Sequence, residues 1–171
     1  TLIYGKQKLE VERYLEDSGA DFTILRLAKI YGLELDDNTL FTGWLNAVDE
    51  LTAMKCAADQ RFSPVCANDV VSAIVAALEK PLHGTYHVGG PAGMSRLELL
   101  NIFLETLRIY RPVDMLVETC SIHDFDLPEA RPLDVSMAVD KLVTDAGLNL
   151  LSPAQACSEI CRAWADKTRV H

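Results

Sequence analysis

Polar and apolar residues alternate with a helical period at the start of the chain. Leu9, Val11, Tyr14 and Leu15 are set among Glu10, Glu12, Arg13 and Glu16, which predicts a helix over about residues 5–17 with one face free to pack. Gly19, just after Ser18, is placed to end it, and Phe22-Thr-Ile-Leu-Arg-Leu27 then reads as a short, largely apolar, buried strand. A second helix, capped by Asn38 or Thr39, is predicted to about residue 51 from Leu40, Phe41, Trp44, Leu45 and Val48; apolar neighbours at helical spacing make Trp44 core rather than a stacking platform. Residues 54–58 read as a strand. The next helix opens at Asn68-Asp69, carries Val70, Val71, Ala73, Ile74, Ala77 and Leu78, and gives Asp69 a role as cap or first-turn carboxylate. Ser95-x-x-Glu98 is a capping box before Leu97, Leu100, Phe103, Leu104 and Leu107. Arg111-Pro112 breaks the chain, residues 114–120 alternate as a strand, and residues 122–128 form a polar and aromatic loop. A short helix over about residues 139–146 stops at Gly147. The last helix starts after Ser152-Pro153 and runs to about residue 167, with Ala156, Ile160, Ala163 and Trp164 inward. Strands and helices interleave without linker, repeat or low-complexity tract, the pattern of an α/β fold.

Composition narrows the function classes. At 171 residues with 49% hydrophobic and 24% charged positions, the chain can bury one real core, and two independent domains would be cramped. A net charge of −9 with sixteen scattered Lys and Arg argues against nucleic acid as a partner, although one or two placed arginines could still hold an anionic sugar nucleotide. No apolar run is long enough for a bilayer and no signal-peptide pattern is seen, so the expectation is a cytoplasmic protein with no membrane partner. The five cysteines are odd in number and lack CxxC pairs, which suits reduced core residues. Cys157 with Cys161 and His83 with His87 have ligand-like spacing but no acidic helper in register, so no metal is expected.

Candidate chemistry centres on Tyr4 and Lys8. Four residues apart on a helix, they lie one above the other, and a cation close to a phenol favours the phenolate. Backbone N–H groups at the amino end of the helix push the same way, so Tyr4 is a candidate proton donor to a forming alkoxide. Taken alone, most pairs at this spacing are a core edge beside a solvated charge. A second stretch, Gly84-Thr-Tyr-His-Val-Gly-Gly-Pro-Ala-Gly93, imitates a phosphate cradle, but its G-G-x-x-G spacing with an internal proline lacks the G-x-G-x-x-G pattern. A turn into the Ser95-capped helix is the simpler account. Arg131 has the planar fork suited to a phosphate, and an ion pair with Asp124, Asp126 or Glu129 is the equal alternative. Arg61, next to Gln60, could reach a nucleotide.

Tyr4-x-x-x-Lys8, then "TILRLAKIYG", "DQRFSPVCANDVVSAIVAAL" (59–78), "GTYHVGGPAGMSRLELLNIF" (84–103) and "RPLDVSMAVDKL" (131–142), taken in order, resemble the second half of the extended short-chain dehydrogenase/reductases, most nearly the dTDP-4-dehydrorhamnose reductase branch. The resemblance spans nearly the whole chain. It implies the C-terminal part of a Rossmann-like protein, with residues 1–32 ending a dinucleotide-binding domain and about 33–171 forming mostly a substrate-binding lobe of α/β type. It further implies NADP or NAD as cofactor, Tyr4 as acid, Lys8 on the nicotinamide ribose, and Ala28 to Gly32, with Ala28 and Ile30 as contacts, running past the nicotinamide. The substrate would be a nucleotide-sugar, bound in part by Arg131 and Arg61, and the reaction reduction of a keto-sugar. Close relatives use the same pair for epimerisation or dehydration, and others are non-catalytic regulatory subunits. Lys29, and Leu33 where relatives carry proline, depart from the branch and bear on the exact sugar. The chain opens three residues before Tyr4, without a glycine-rich phosphate loop or a preceding Ser or Thr, so the expected partner is a missing N-terminal half of the same protein, and the isolated piece is expected to be inactive. A homodimer is compatible with this reading.

Overall fold

A computed structural model describes residues 2–168. The helices are α1 (Ile3–Asp17), α2 (Leu40–Asp49), α3 (Ala67–Glu79), α4 (Arg96–Leu107), α5 (Asp140–Ala146) and α6 (Pro153–Thr168). The strands are β1 (Thr23–Leu27), β2 (Ile30–Tyr31), β3 (Met54–Ala57), β4 (Arg61–Phe62), β5 (Val65–Cys66), β6 (Gly84–Val88), β7 (Met94–Ser95), β8 (Val117–Cys120) and β9 (Asp134–Val135). Pairing is mostly parallel and joins distant segments: β1 with β6, β2 with β5, β3 with β8, and β4 with β9, while β7 runs antiparallel to β4. Parallel neighbours need a crossover between them, and the helices supply it. The fold is therefore mixed α/β, as the interleaved pattern implies.

Two cores result. One gathers α2, α4 and α6 over β3, with Phe41, Trp44, Phe103, Leu107 and Ile160 at its centre. The other packs α3 and α5 on β1 and β6 through Val70, Ala73, Tyr86, Val88 and Leu142. Trp44 is 5% exposed, as core placement requires, and its ring centroid lies 5.7 Å from Phe41 and 5.4 Å from Phe103. Both bonds of the Ser95–Glu98 capping box are present. Cys157 and Cys161 are fully buried in α6, and burial raises each thiol to about 12, which keeps them inert core residues.

Several expectations need correction. The outward face of α1 packs against nothing among the described residues: Leu9, Val11 and Tyr14 are exposed and only Leu15 and Glu12 among residues 9–16 are half-buried. On α3, Val70, Ala73, Ala76 and the half-buried Ala77 pack on the second core, while Val71, Ile74, Val75 and Leu78 are exposed. Strand β1 is half-buried at best, since β6 covers one edge only. Thr39, one of the two expected positions, is the N-cap of α2, but its side chain makes no capping hydrogen bond. Thr39 Oγ1 accepts from Gly32 N–H instead, and Asp37 accepts from Thr39 N–H at 2.8 Å and Thr42 Oγ1 at 3.0 Å. The strand over residues 114–120 shortens to β8, the pairing length of β3. In α6, Cys157, Cys161 and Ala165 point inward and Ala163 does not.

Candidate active site

Tyr4 is the second residue of α1, and Lys8 follows one turn on. The Lys8 ammonium stands 5.5 Å from the centroid of the Tyr4 ring, so the spacing in sequence does bring the two side chains together. The cation lies over the ring face. Tyr4 is 67% exposed.

At the amino end of α1 begins a cleft of about 560 Å³. Leu2, Leu27 and Ala28 form one side, at the carboxyl end of β1. Ala57, Gln60 and Phe62, around the carboxyl end of β3 and on β4, also line it, as do Phe125, Leu127, Arg131 and Pro132 of the loop after β8. Ligands of open α/β sheets bind where strands end in this way. Tyr4 itself stands beside the cleft and does not line it.

The electrostatics of the cleft are one-sided. Lys29, Lys55, Arg96 and Arg131 line it and no carboxylate does, in a chain whose net charge is −9. Lys55 Nζ donates to the Asp124 carbonyl at 3.2 Å and sits 5.2 Å from the Phe125 ring centroid, while Arg96 lies 5.8 Å from the Trp44 ring. Arg131 makes no ion pair among the described residues, neither with Asp124 or Asp126 nor with Glu129. Its fork is therefore available to an anion. Arg61 is placed differently: it donates to the Gly93 carbonyl at 2.5 Å and pairs with Glu98 at 3.5 Å, off the cleft wall that Gln60 and Phe62 reach. Ala28 lines the cleft, whereas Ile30 pairs with Val65 and packs into the second core.

The residues fit one end of a nicotinamide dinucleotide. A small side chain at Ala28, a strand end and an acid-free wall leave room for a nicotinamide and ribose near the start of α1, where Leu2 lines the cleft. They do not fit its pyrophosphate. A Cβ at Gly90 would lie 2.0 Å from the Pro64 carbonyl oxygen, and Gly90 N–H donates to Ser63 at 3.2 Å, so glycine serves close backbone packing there and forms no cradle. A second cavity of about 460 Å³, with Asp21, Lys80 and His83 around Ile74 and Leu78, lies away from the Tyr4–Lys8 pair.

Sequence reasoning missed Lys55, Phe125 and Glu129. Lys55 carried a signal: it is the single polar residue of Met-Lys-Cys-Ala, and it alone in β3 faces outward. Phe125 and Glu129 sit in a loop whose path no periodicity encodes.

The cleft loop is fastened by acids at its base. Asp59 accepts from Ser121 Oγ at 2.5 Å and Ile122 N–H at 2.8 Å, and Asp124 accepts from Ser121 N–H at 2.9 Å. These bonds, the Ser121 hydroxyl first, hold the Asp59 carboxyl below the usual carboxylate range. A folded value below the unfolded ~3.9 gives a contribution that is complete above that value and is lost as pH falls through the depressed one. The Ile122 amide resonance should therefore show a step in solution more acid than about pH 4 that Asp59→Asn removes; a step of equal size in Asp59→Asn would contradict the link.

Comparison with known proteins gives consistent matches. The family model of the RmlD substrate binding domain matches residues 1–164. A curated relative, the "probable low-salt glycan biosynthesis reductase Agl14" of Haloferax volcanii, is 29% identical over 140 residues, covering 78% of this chain and 46% of that protein. The fold is similar to that of dTDP-4-dehydrorhamnose reductase from Bacillus anthracis in complex with NADP, with a TM-score of 0.78 and 22% identity over 94% of this chain and 55% of the other. The enzyme of the same name from Yersinia enterocolitica gives 0.78 and 19% over 92% and 56%. UDP-glucose 4-epimerase from Thermotoga maritima gives 0.70 and 18% over 96% and 54%. The chain spans about half the length of these relatives.

Proposed function

The chain belongs to the RmlD substrate binding domain family, and from that premise we propose that it is the sugar-side part of an NAD(P)-dependent reductase of nucleotide-activated keto-sugars. One observation carries the reading: an acid-free cleft with four cationic side chains opens beside an exposed tyrosine that a lysine overlies. NAD(P)H would supply the hydride. Arg131 grips the diphosphate of the nucleotide-sugar with its fork, and the apolar Leu27, Phe62 and Phe125 surfaces hold the ring and exclude water. The Tyr4 hydroxyl gives its proton to the carbonyl oxygen as that oxygen gains charge, and Lys8 holds the ribose of the cofactor and offsets the negative charge left behind.

On this reading residues 1–32, with the returning strand β6, complete a dinucleotide-binding domain, and most of the remainder forms the sugar-side lobe. The bare faces of α1 and α3 and the free edge of β1 are then the surfaces that the rest of the polypeptide covers. The described residues alone, lacking a pyrophosphate cradle, do not turn over.

The test uses the full-length polypeptide with NADPH and dTDP-4-dehydrorhamnose, following NADPH oxidation. Arg131→Ala should raise KM for the sugar about 10- to 100-fold with a much smaller change in kcat, the size of one lost charge-assisted bidentate contact. Arg131→Lys should recover only part of it. An unchanged KM would remove Arg131 from the site, and failure of the wild type to consume NADPH with any nucleotide keto-sugar would remove the reductase reading.

A further inference from the structure

The helix that carries Tyr4 is poorly anchored by its own sequence. Its N-cap position is Leu2, no side chain of the helix's own start caps it, its first turn holds no acid, and none of its residues is buried. The first N–H groups of a helix need acceptors and carry partial positive charge. That need is met from 126 residues away: both carboxylate oxygens of Glu129 accept from Ile3 N–H, each at 3.3 Å. Elsewhere along α1, the side-chain tie to the rest of the fold is Glu12 to Arg26 of β1.

Glu129 belongs to the cleft loop, two residues before Arg131 and two after Leu127, both on the cleft wall. Leu2, the residue before Ile3, lines the same cleft. The carboxylate thus joins the segment that would seat the substrate's anion to the turn that sets the phenol. We propose that Glu129 is a positioning residue that makes these two segments one body, so that an anion held at Arg131 also fixes the direction of Tyr4. This rests on the proposed function for its consequence in turnover, and on the geometry alone for its consequence in order.

The experiment uses the full-length polypeptide as wild type, Glu129→Ala and Glu129→Gln, and reads amide hydrogen exchange first, with no ligand and then with dTDP. Without ligand, Glu129→Ala should speed exchange at the first turn of α1 about tenfold, with Glu129→Gln between, because an amide oxygen still accepts but carries no charge. Equal exchange in all three would overturn the proposal, whatever the enzyme does. With dTDP, the same turn should slow further in the wild type and not in Glu129→Ala; slowing of equal size in both would also overturn it.

Turnover gives the second readout. Glu129→Ala should lower kcat about 10- to 100-fold, the scale of a slightly misplaced catalytic group, with KM for the sugar within a few-fold of wild type. In a Tyr4→Phe background it should cost nothing more, since it acts through the phenol. Full additivity of the two substitutions would mean that Glu129 acts elsewhere. A Tyr4→Phe enzyme as active as wild type would instead sink the proposed function, and the exchange result would stand separately.

Discussion

Tyr4→Phe should lower turnover of the full-length polypeptide by about 10² to 10⁴-fold, the usual worth of a placed general acid. The hydroxyl is the only group removed. The ring stays on α1 with Lys8 5.5 Å from its centroid, and the side chain is two-thirds exposed, so stability should change by no more than about 0.5 kcal/mol. Affinity for dTDP should be unchanged as well, because the phenol stands beside the cleft and the anion is held within it. The measurement is kcat with saturating NADPH and sugar, beside calorimetric dTDP titration. Activity within about threefold of wild type would exclude the phenol as donor, since even the weak end of acid catalysis exceeds that.

The largest stability effect should come from Phe103→Ala. Phe103 is 0% exposed and its ring packs against both Phe41, stacked at 5.9 Å and 22°, and Trp44 at 5.4 Å, the three rings forming a triangle. Removing it takes a large apolar group from the centre of the core and leaves a cavity walled by two rigid rings on α2, with little freedom to collapse. Substitutions of this kind cost about 3–5 kcal/mol. Urea denaturation should show the midpoint falling by that free energy with an unchanged slope, while Phe103→Leu should cost about 1.5 kcal/mol or less. A loss under about 1 kcal/mol in the alanine variant would mean that the helices close over the gap. The consequence reaches the cleft, since α4 carries Phe103 and also begins with Arg96, a cation on its wall.

What the sequence disclosed follows from how local each feature is. The capping box at Ser95, the stop at Gly147 with φ +66° and the core role of Trp44 depend on neighbours within a turn or two and were legible, as were Leu100, Phe103, Leu104 and Leu107 of α4, whereas the fully buried Leu99 was missed and Leu97 is only half-buried. The Tyr4–Lys8 meeting is local in the same sense. On α1 and α3 apolar side chains stand exposed, because an apolar stripe says that a face can be covered and not what covers it. The cap of α2 falls at Thr39, one of the two positions offered, but without the side-chain bond, because Thr39 Oγ1 accepts from Gly32 N–H and Asp37 takes the Thr39 N–H and the Thr42 hydroxyl. Arg61 and Arg131 look alike in sequence. Only the fold separates them, by giving Arg61 the Gly93 carbonyl and Glu98 as partners and leaving Arg131 without an ion pair among the described residues.

The parallel pairing has a kinetic meaning. Thr23 meets Gly84, Met54 meets Val117 and Arg61 meets Asp134, so every parallel ladder but the short β2–β5 contact closes a loop of about sixty residues or more before its first hydrogen bonds form. Chain entropy must be surrendered ahead of any reward, which places such topologies among the slow folders. During that delay the half-made strands β1 and β3 present open edges, and a newly synthesised chain at high concentration runs the risk of intermolecular pairing at them. Dilution and low temperature during refolding would relieve that competition, because self-association depends on concentration and strand closure does not.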